Sequence, residues 1–387
     1  MASLDEHLEA ALAKVEQAGR RRTLRAATLA PQGHIVRDGR SLVDFSSNDY
    51  LGLATHPLLA ERAREWTQRH GTGSGASRLV TGTSAQVLAL EERIAAFKGT
   101  KAALIFASGW QANAAALPAL LSALPGAAVF CDRLNHASMH AGLAIAGTRQ
   151  HRFRHNDLTH LEELLAAKGA EAPARVIVTE SVFSMDGDVA DLPRLVALAR
   201  AYDAVLYIDE AHATGVMGLG GAGLSSTVPA RVDVIMGTFS KALGGFGAYI
   251  AGSRALIDWL TNAASGFVFS TALPPAVLGG IDAALDLVPT MDAERAHLRS
   301  LADRLRAGLD QLGLDHAGSA SQIVPAVIGG EAETLALAAR LEQRGFLAAA
   351  IRPPTVPPGT SRLRLALRAA HRHEDIDALL EAIAACR

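Results

Sequence analysis

Lys241 stands in the run Thr238-Phe239-Ser240-Lys241-Ala242-Leu243-Gly244-Gly245, just after the β-like stretch Val232 to Met236. Lysine is ordinarily a surface residue, so one set among apolar and glycine neighbours needs a chemical reason. An amine taken out of water loses its proton more readily and becomes a nucleophile that forms Schiff bases. Hydroxyls at Thr238 and Ser240 are suited to a phosphate. The combination points to pyridoxal phosphate (PLP) held covalently on Lys241. A lysine that only caps a strand end would carry the same local sequence.

Upstream, Val205-Leu206-Tyr207-Ile208-Asp209-Glu210-Ala211-His212 sets four apolar residues before two acids. That pattern reads as a buried parallel strand whose carboxyl end opens into a site, the usual place for ligands in open α/β sheets. A carboxylate at Asp209 can keep a pyridine nitrogen protonated, which makes the ring an electron sink. His212 lies close enough to reach the ring's phenolic oxygen. Taken singly, Asp209 also suits a helix cap and His212 a polar loop position. The strand-end lysine that follows favours the chemical reading.

Those residues need a scaffold, and the chain is long enough to supply one. Its 387 residues, 49% hydrophobic, allow one large α/β domain and a smaller one without disulfide support. Basic and acidic residues nearly balance at 37 against 39, which leaves no electrostatic footprint for nucleic acid. Cys131 and Cys386 are far apart and lack metal-ligand spacing, so no metal is expected and a reducing compartment fits. The first residues carry acids and no apolar core of a leader, and no apolar run reaches membrane-spanning length. The expectation is a cytoplasmic protein that does not enter a membrane.

Short apolar runs predict strands at 102–106, 127–131, 150–153, 176–179, 205–208, 232–236 and 248–251, with helical patterns at 84–97, 111–124, 158–167 and 192–201. This alternation predicts an α/β fold, a mostly parallel seven-stranded sheet flanked by helices. Before it, residues 1–50 read as a helix with a Leu4, Leu8, Leu12, Val15 stripe and a hairpin turning at Asp38-Gly39. The large domain is expected over 51–283. A smaller α+β domain follows over 284–387, with one long helical stretch to Leu312, strands near 323–328 and 363–367, and two helices. Gly218, Gly220 and Gly223 spell G-x-G-x-x-G, but the motif follows a loop and runs toward Pro229. It is read as a flexible active-site loop and not as a dinucleotide site.

The motifs Phe45-Ser46-Ser47-Asn48-Asp49-Tyr50-Leu51-Gly52, Asp132-Arg133-Leu134-Asn135-His136-Ala137-Ser138, Phe183-Ser184-Met185-Asp186-Gly187-Asp188 and Asp209-Glu210-Ala211-His212 join the lysine motif in a specific set. Together they resemble the α-oxoamine synthases, a branch of the fold-type-I PLP enzymes, over almost the whole chain. The resemblance implies that Lys241 carries the cofactor and His136 stacks on its ring. It also implies that Asp209 meets the ring nitrogen and His212 the ring oxygen. Ser184, Thr238 and the backbone of Gly109 and Trp110 would cradle the phosphate, and Thr271 would reach it from a second subunit of a homodimer. Trp110 departs from an expected phenylalanine without removing a functional group.

The family reaction is a decarboxylating condensation of an amino acid with an acyl thioester. Ile351-Arg352-Pro353-Pro354-Thr355-Val356-Pro357 is similar to the segment in family members that use L-alanine and a pimeloyl donor, on coenzyme A or on a carrier protein. A fixed arginine beside a proline-stiffened turn suits bidentate carboxylate binding. Arg352 is therefore expected to hold the alanine carboxylate, with Asn48 and Thr355 also facing substrate. Arg20, in the run Arg20-Arg21-Arg22, is expected at the pimeloyl end, although a solvated helix end explains that run almost as well. Glycine C-acetyl transfer is the alternative within the family. A regulator that senses a ligand through this fold would need a fused basic DNA-binding module, and none is present.

Overall fold

The Asp38-Gly39 turn forms as expected, with φ of 50° and 75° at its two residues, the left-handed pair a two-residue hairpin requires. Around it β1 (Thr28–Leu29), β2 (His34–Arg37) and β3 (Arg40–Asp44) pair in sequence. The computed structural model describes residues 3–228 and 232–387. Pro229, where the glycine-rich motif was read to end, lies outside them.

The seven apolar runs become β4 (Ala102–Phe106), β5 (Ala128–Asp132), β6 (Gln150–Phe153), β7 (Arg175–Glu180), β8 (Ala204–Asp209), β9 (Val234–Thr238) and β10 (Ala248–Gly252). They form one sheet in the order β4-β10-β9-β8-β7-β5-β6. Strand β10 runs antiparallel to β4 and β9, and the other neighbouring pairs are parallel. Strands β4, β5, β9 and β10 are buried at every residue, which is why they read as unbroken apolar runs. Strand β9 begins two residues later than its apolar run, because its pairing with β8 and β10 starts at Val234, and it ends two later, at Thr238.

Helices Ala85–Lys98, Gly109–Ser122, Leu158–Gly169 and Leu192–Ala201 cover the sheet as the periodicity predicts, with Pro118 inside the second. The long helical stretch expected to Leu312 is two helices, Pro275–Leu287 and Asp292–Gln311. The break at Val288–Thr290 contains Pro289, which has no N–H to continue the ladder.

The C-terminal unit adds β11 (Ile323–Gly329), β12 (Phe346–Leu347), β13 (Ala349–Ile351) and β14 (Ser361–Ala366), with helices Glu331–Gln343 and His373–Cys386. Strands β12 and β13 have two and three residues, too few to show a period in sequence. Strand β12 pairs with β3 in parallel, which ties the N-terminal hairpin to the C-terminal unit. Helix Leu4–Gln17 has a complete capping box at Ser3 and Glu6 and buries none of its residues. Its Leu4, Leu8, Leu12 and Val15 stripe faces outward. No helix among the described residues is long and apolar enough to cross a membrane.

Candidate functional site

Strands β7, β8 and β9 are neighbours in the sheet, and their last residues are Glu180, Asp209 and Thr238. Two helices start at the same edge: Gly109–Ser122, and Ala137–Ile145 with His136 as its cap. These ends enclose a cavity of about 190 Å³ lined by Gly109, Trp110, Asn113, His136, Asp209, His212, Thr238 and Lys241, with Ser138, Glu180 and Ser240 among the others. Parallel pairing thus gathers residues far apart in sequence at one carboxyl edge.

Asp209 is buried and accepts two hydrogen bonds, from Asn113 Nδ2 and from the Ala211 backbone N–H, both at 2.9 Å. Asn113 also donates to Ser138 Oγ, and its Oδ1 accepts from Tyr207 at 2.6 Å. The carboxylate is held rigidly at the cavity wall. Across from it, the Lys241 amine makes no hydrogen bond or close ion pair with the described residues. Burial lowers its pKa, Asp209 and Glu180 oppose that, and Arg364 adds to it.

His136 is fixed through its backbone, whose N–H donates to Glu180 Oε1 at 2.6 Å. Its ring meets Ser138 Oγ at 2.7 Å and lies edge-on to Trp110, with centroids 6.3 Å apart. Burial pushes Glu180 well above the usual carboxyl range and Asp209 pushes it further. Burial likewise holds His212 well below the usual imidazole range, helped by the charges of Lys241, Arg364 and His136.

Three observations test whether these residues suit PLP, and all three fit. Thr238 Oγ1 is buried without a hydrogen-bond partner among the described residues. Beside it the helix from Gly109 begins, its first two N–H groups without acceptors among the described residues, a natural anion site. A side chain at Gly109 would come within 2.8 Å of Thr238 Cγ2 and 3.0 Å of Met236 Cε, so only glycine lets that backbone approach. An unpaired amine and a rigid carboxylate then stand ready for a carbonyl and a pyridine nitrogen.

Other expected residues fall elsewhere. The Ser184 carbonyl accepts from Arg364 Nε at 2.5 Å, and Arg364 Nη2 donates to Asn48 Oδ1 at 3.0 Å. That places Ser184 and Asn48 with the His212 side of the site and not at the helix start with Thr238. Thr271 bridges to Ser77 and lines a small separate cavity with Arg78 and Gln111. Arg352 shares a cleft of about 350 Å³ with Arg20, Arg22, Pro353 and Pro354. None of these lines the lysine cavity. In that cleft Arg352 donates to the Gly19 carbonyl, Arg20 pairs with Glu331 at 2.9 Å, and Thr355 lies exposed on the same turn. The glycine-rich loop at Gly218 and Gly220 borders another cavity, of about 610 Å³, beside helix Asp292–Gln311. It is not part of the lysine cavity's wall.

Four residues of the site were not singled out from sequence: Asn113, Glu180, Tyr50 and Arg364. Asn113 had a signal, as the one polar side chain between Ala112 and Leu121. Arg364 had another, since strand alternation puts it on the same face of β14 as Arg362.

The model of the aminotransferase class I and II family matches residues 40–383. The 8-amino-7-oxononanoate synthase of Gluconacetobacter diazotrophicus is 62% identical over 354 residues, 90% of this chain and 89% of that protein. That of Geobacter sulfurreducens is 48% identical over 377 residues, 96% of each. Among solved structures, SPT with PLP superposes with a TM-score of 0.91 at 27% identity, over 100% of this chain and 98% of that one. The chain belongs to the class I and II aminotransferase family and, within it, to the 8-amino-7-oxononanoate synthases.

Proposed function

We propose that Lys241 binds pyridoxal 5′-phosphate and that the chain joins L-alanine to a pimeloyl thioester, releasing carbon dioxide, the thiol and 8-amino-7-oxononanoate. This is a PLP-dependent acyl transfer of biotin biosynthesis. The observation that carries the reading is the Lys241 amine, unpaired inside a cavity that also holds Asp209 and the partnerless Thr238 hydroxyl. Bound there, the cofactor supplies an electron sink for charge developing at the alanine Cα.

The chain's own residues do the rest. Asp209 keeps the ring nitrogen's proton in place, and His136 covers the ring face. Thr238 and the N–H groups of Gly109 and Trp110 hold the phosphate, joined by Thr271 from a second copy of the chain. Lys241, with its lowered pKa, accepts and returns the Cα proton. Arg364 is buried and bonded to Asn48 beside His212, which suits it to the alanine carboxylate. Arg352 and Arg20, in their own cleft, then receive the far carboxyl of the pimeloyl group, with Thr355 at the rim. The exposed apolar stripe of helix Leu4–Gln17 and the exposed Phe269 near Thr271 support the homodimer.

The test is product analysis by mass spectrometry, with alanine and glycine competing for a panel of acyl thioesters. Alanine with pimeloyl thioester should dominate, and borohydride should fix the cofactor onto Lys241. Lys241→Ala should bind PLP loosely and turn nothing over. Cofactor fixed on another lysine, or a preference for glycine and acetyl donors, would overturn the reading.

A further inference from the structure

The turn Ser47-Asn48-Asp49-Tyr50 is locked from outside by Arg368, whose Nη2 donates to Asp49 Oδ2 at 2.7 Å. The lock aims the fully buried Tyr50 ring at His212, and the phenol oxygen lies 2.6 Å from His212 Nδ1. A phenol has one hydrogen to give. Here it has two acceptors in reach, His212 Nδ1 and, at 3.1 Å, Asn48 Oδ1. Asn48 Oδ1 already accepts from Arg364 Nη2. Burial raises the Tyr50 pKa, and the neighbouring Arg364 and Gln322 offset part of that rise. With the Asn48 oxygen supplied by Arg364, the phenol hydrogen goes to the shorter contact, at His212 Nδ1.

We propose that Tyr50 donates to His212 Nδ1 and so fixes His212 as the Nε2–H tautomer, presenting a hydrogen-bond donor to the lysine cavity. Among the described residues Nε2 has no protein partner, and His212 lines the cavity. The charged and titratable groups facing His212 are Lys241, Arg364, His136 and Tyr50. None of them is an anion that would draw a second proton onto the ring. A neutral imidazole whose remaining hydrogen points inward suits an anionic phenolic oxygen, whereas the other tautomer would offer that oxygen a lone pair. Tyr50 is therefore a positioning residue acting through His212. Its use toward the cofactor rests on the PLP reading above, but the tautomer itself does not.

The experiment is a long-range proton–nitrogen correlation on the full chain labelled with nitrogen-15 histidine, recorded with and without PLP. His212→Gln identifies the ring's signals by their loss. The wild-type chain should show a protonated Nε2 and a bare Nδ1. Hydrogen on Nδ1, or on both nitrogens, of the ring so identified overturns the assignment whether or not Tyr50→Phe folds. Tyr50→Phe should lose the single tautomer, and an unchanged pattern there overturns the role of Tyr50. In the PLP-loaded protein the same variant should raise the pH midpoint of the cofactor's absorbance change by about one unit, the scale of one hydrogen bond. A phenolic oxygen without its donor holds the cofactor's dissociable proton more tightly. An unmoved midpoint with a switched tautomer overturns the link to the cofactor. Failure to bind PLP at all would instead tell against the proposed function and leave the tautomer result standing.

Discussion

The lysine cavity and the arginine cleft are built in opposite ways. The cavity's working groups hang from the ends of buried strands and from helix starts, and Asp209, His136 and His212 are fixed by short hydrogen bonds within the core. The cleft is made by a segment after an exposed helix and by a proline-rich turn. It is held by pairs such as Arg20–Glu331, whose side chains are 43% and 32% exposed. Exposed pairs of that kind contribute about 0–1 kcal/mol each. The cavity therefore tolerates little change, and the cleft can adjust to what it binds. On the proposed function, bond making would fall where geometry is stiff and recognition of the substrate's far end where it is not.

The sharpest way to break this contrast is Asp209→Asn. The amide cannot hold a protonated ring nitrogen, so turnover should fall about hundredfold, roughly 3 kcal/mol in the barrier. Steady-state kinetics on the folded, cofactor-loaded variant measures it. Near-normal turnover would make Asp209 a structural cap.

The paired variants Arg364→Lys and Arg352→Lys sharpen the division of labour. A lysine cannot reproduce a two-pronged guanidinium grip, and a charge-assisted contact carries about 1.5–3 kcal/mol. Alanine affinity, read by spectroscopic titration, should drop roughly ten- to hundredfold in the first and hold in the second. The apparent affinity for the pimeloyl donor should fall about tenfold in the second only. A large alanine defect in Arg352→Lys would return that arginine to the amino-acid carboxylate.

The smallest effect concerns the ground under His136. The Nδ1 of His155 meets Asp132 and its Nε2 meets Asp188, each at 3.0 Å. Burial lowers the ring's pKa, but the hydrogen bond to Asp132 and the close carboxylate of Asp188 win and raise it to about 10. A pKa raised on folding gives stability that is complete below the unfolded value near 6.5 and is lost as pH rises through about 10. Melting temperature should therefore decline between pH 7 and 10. His155→Gln should flatten that decline by roughly 2–4 °C. Parallel pH profiles for the two proteins would mean that the knot adds nothing to stability.

Much of this was readable before any fold was known. Buried parallel strands announce themselves as apolar runs, and residues that close such runs, as Asp209 does, fall at the ligand-binding edge. Glu180 also closes a strand, yet its meaning depends on the backbone of His136, which only sheet pairing brings near. Tyr50 and Arg364 are more than 300 residues apart in sequence, and no local pattern links them. The proline neighbours of Arg352 signalled a stiff turn without saying that it lines a cleft apart from the lysine cavity. Pro289 was in plain view, but the apolar spacing on either side of it continued and hid the break.

The partnerless hydroxyl of Thr238 bears on the life of the protein as well as on its chemistry. That oxygen has no protein partner among the described residues and faces the cavity, so a bound phosphate gains a hydrogen bond there. A phosphate that satisfies the oxygen shifts the folding balance by mass action. Cofactor supply thereby sets how often the chain opens to proteases, so cells short of the vitamin should hold less of this protein even at unchanged synthesis.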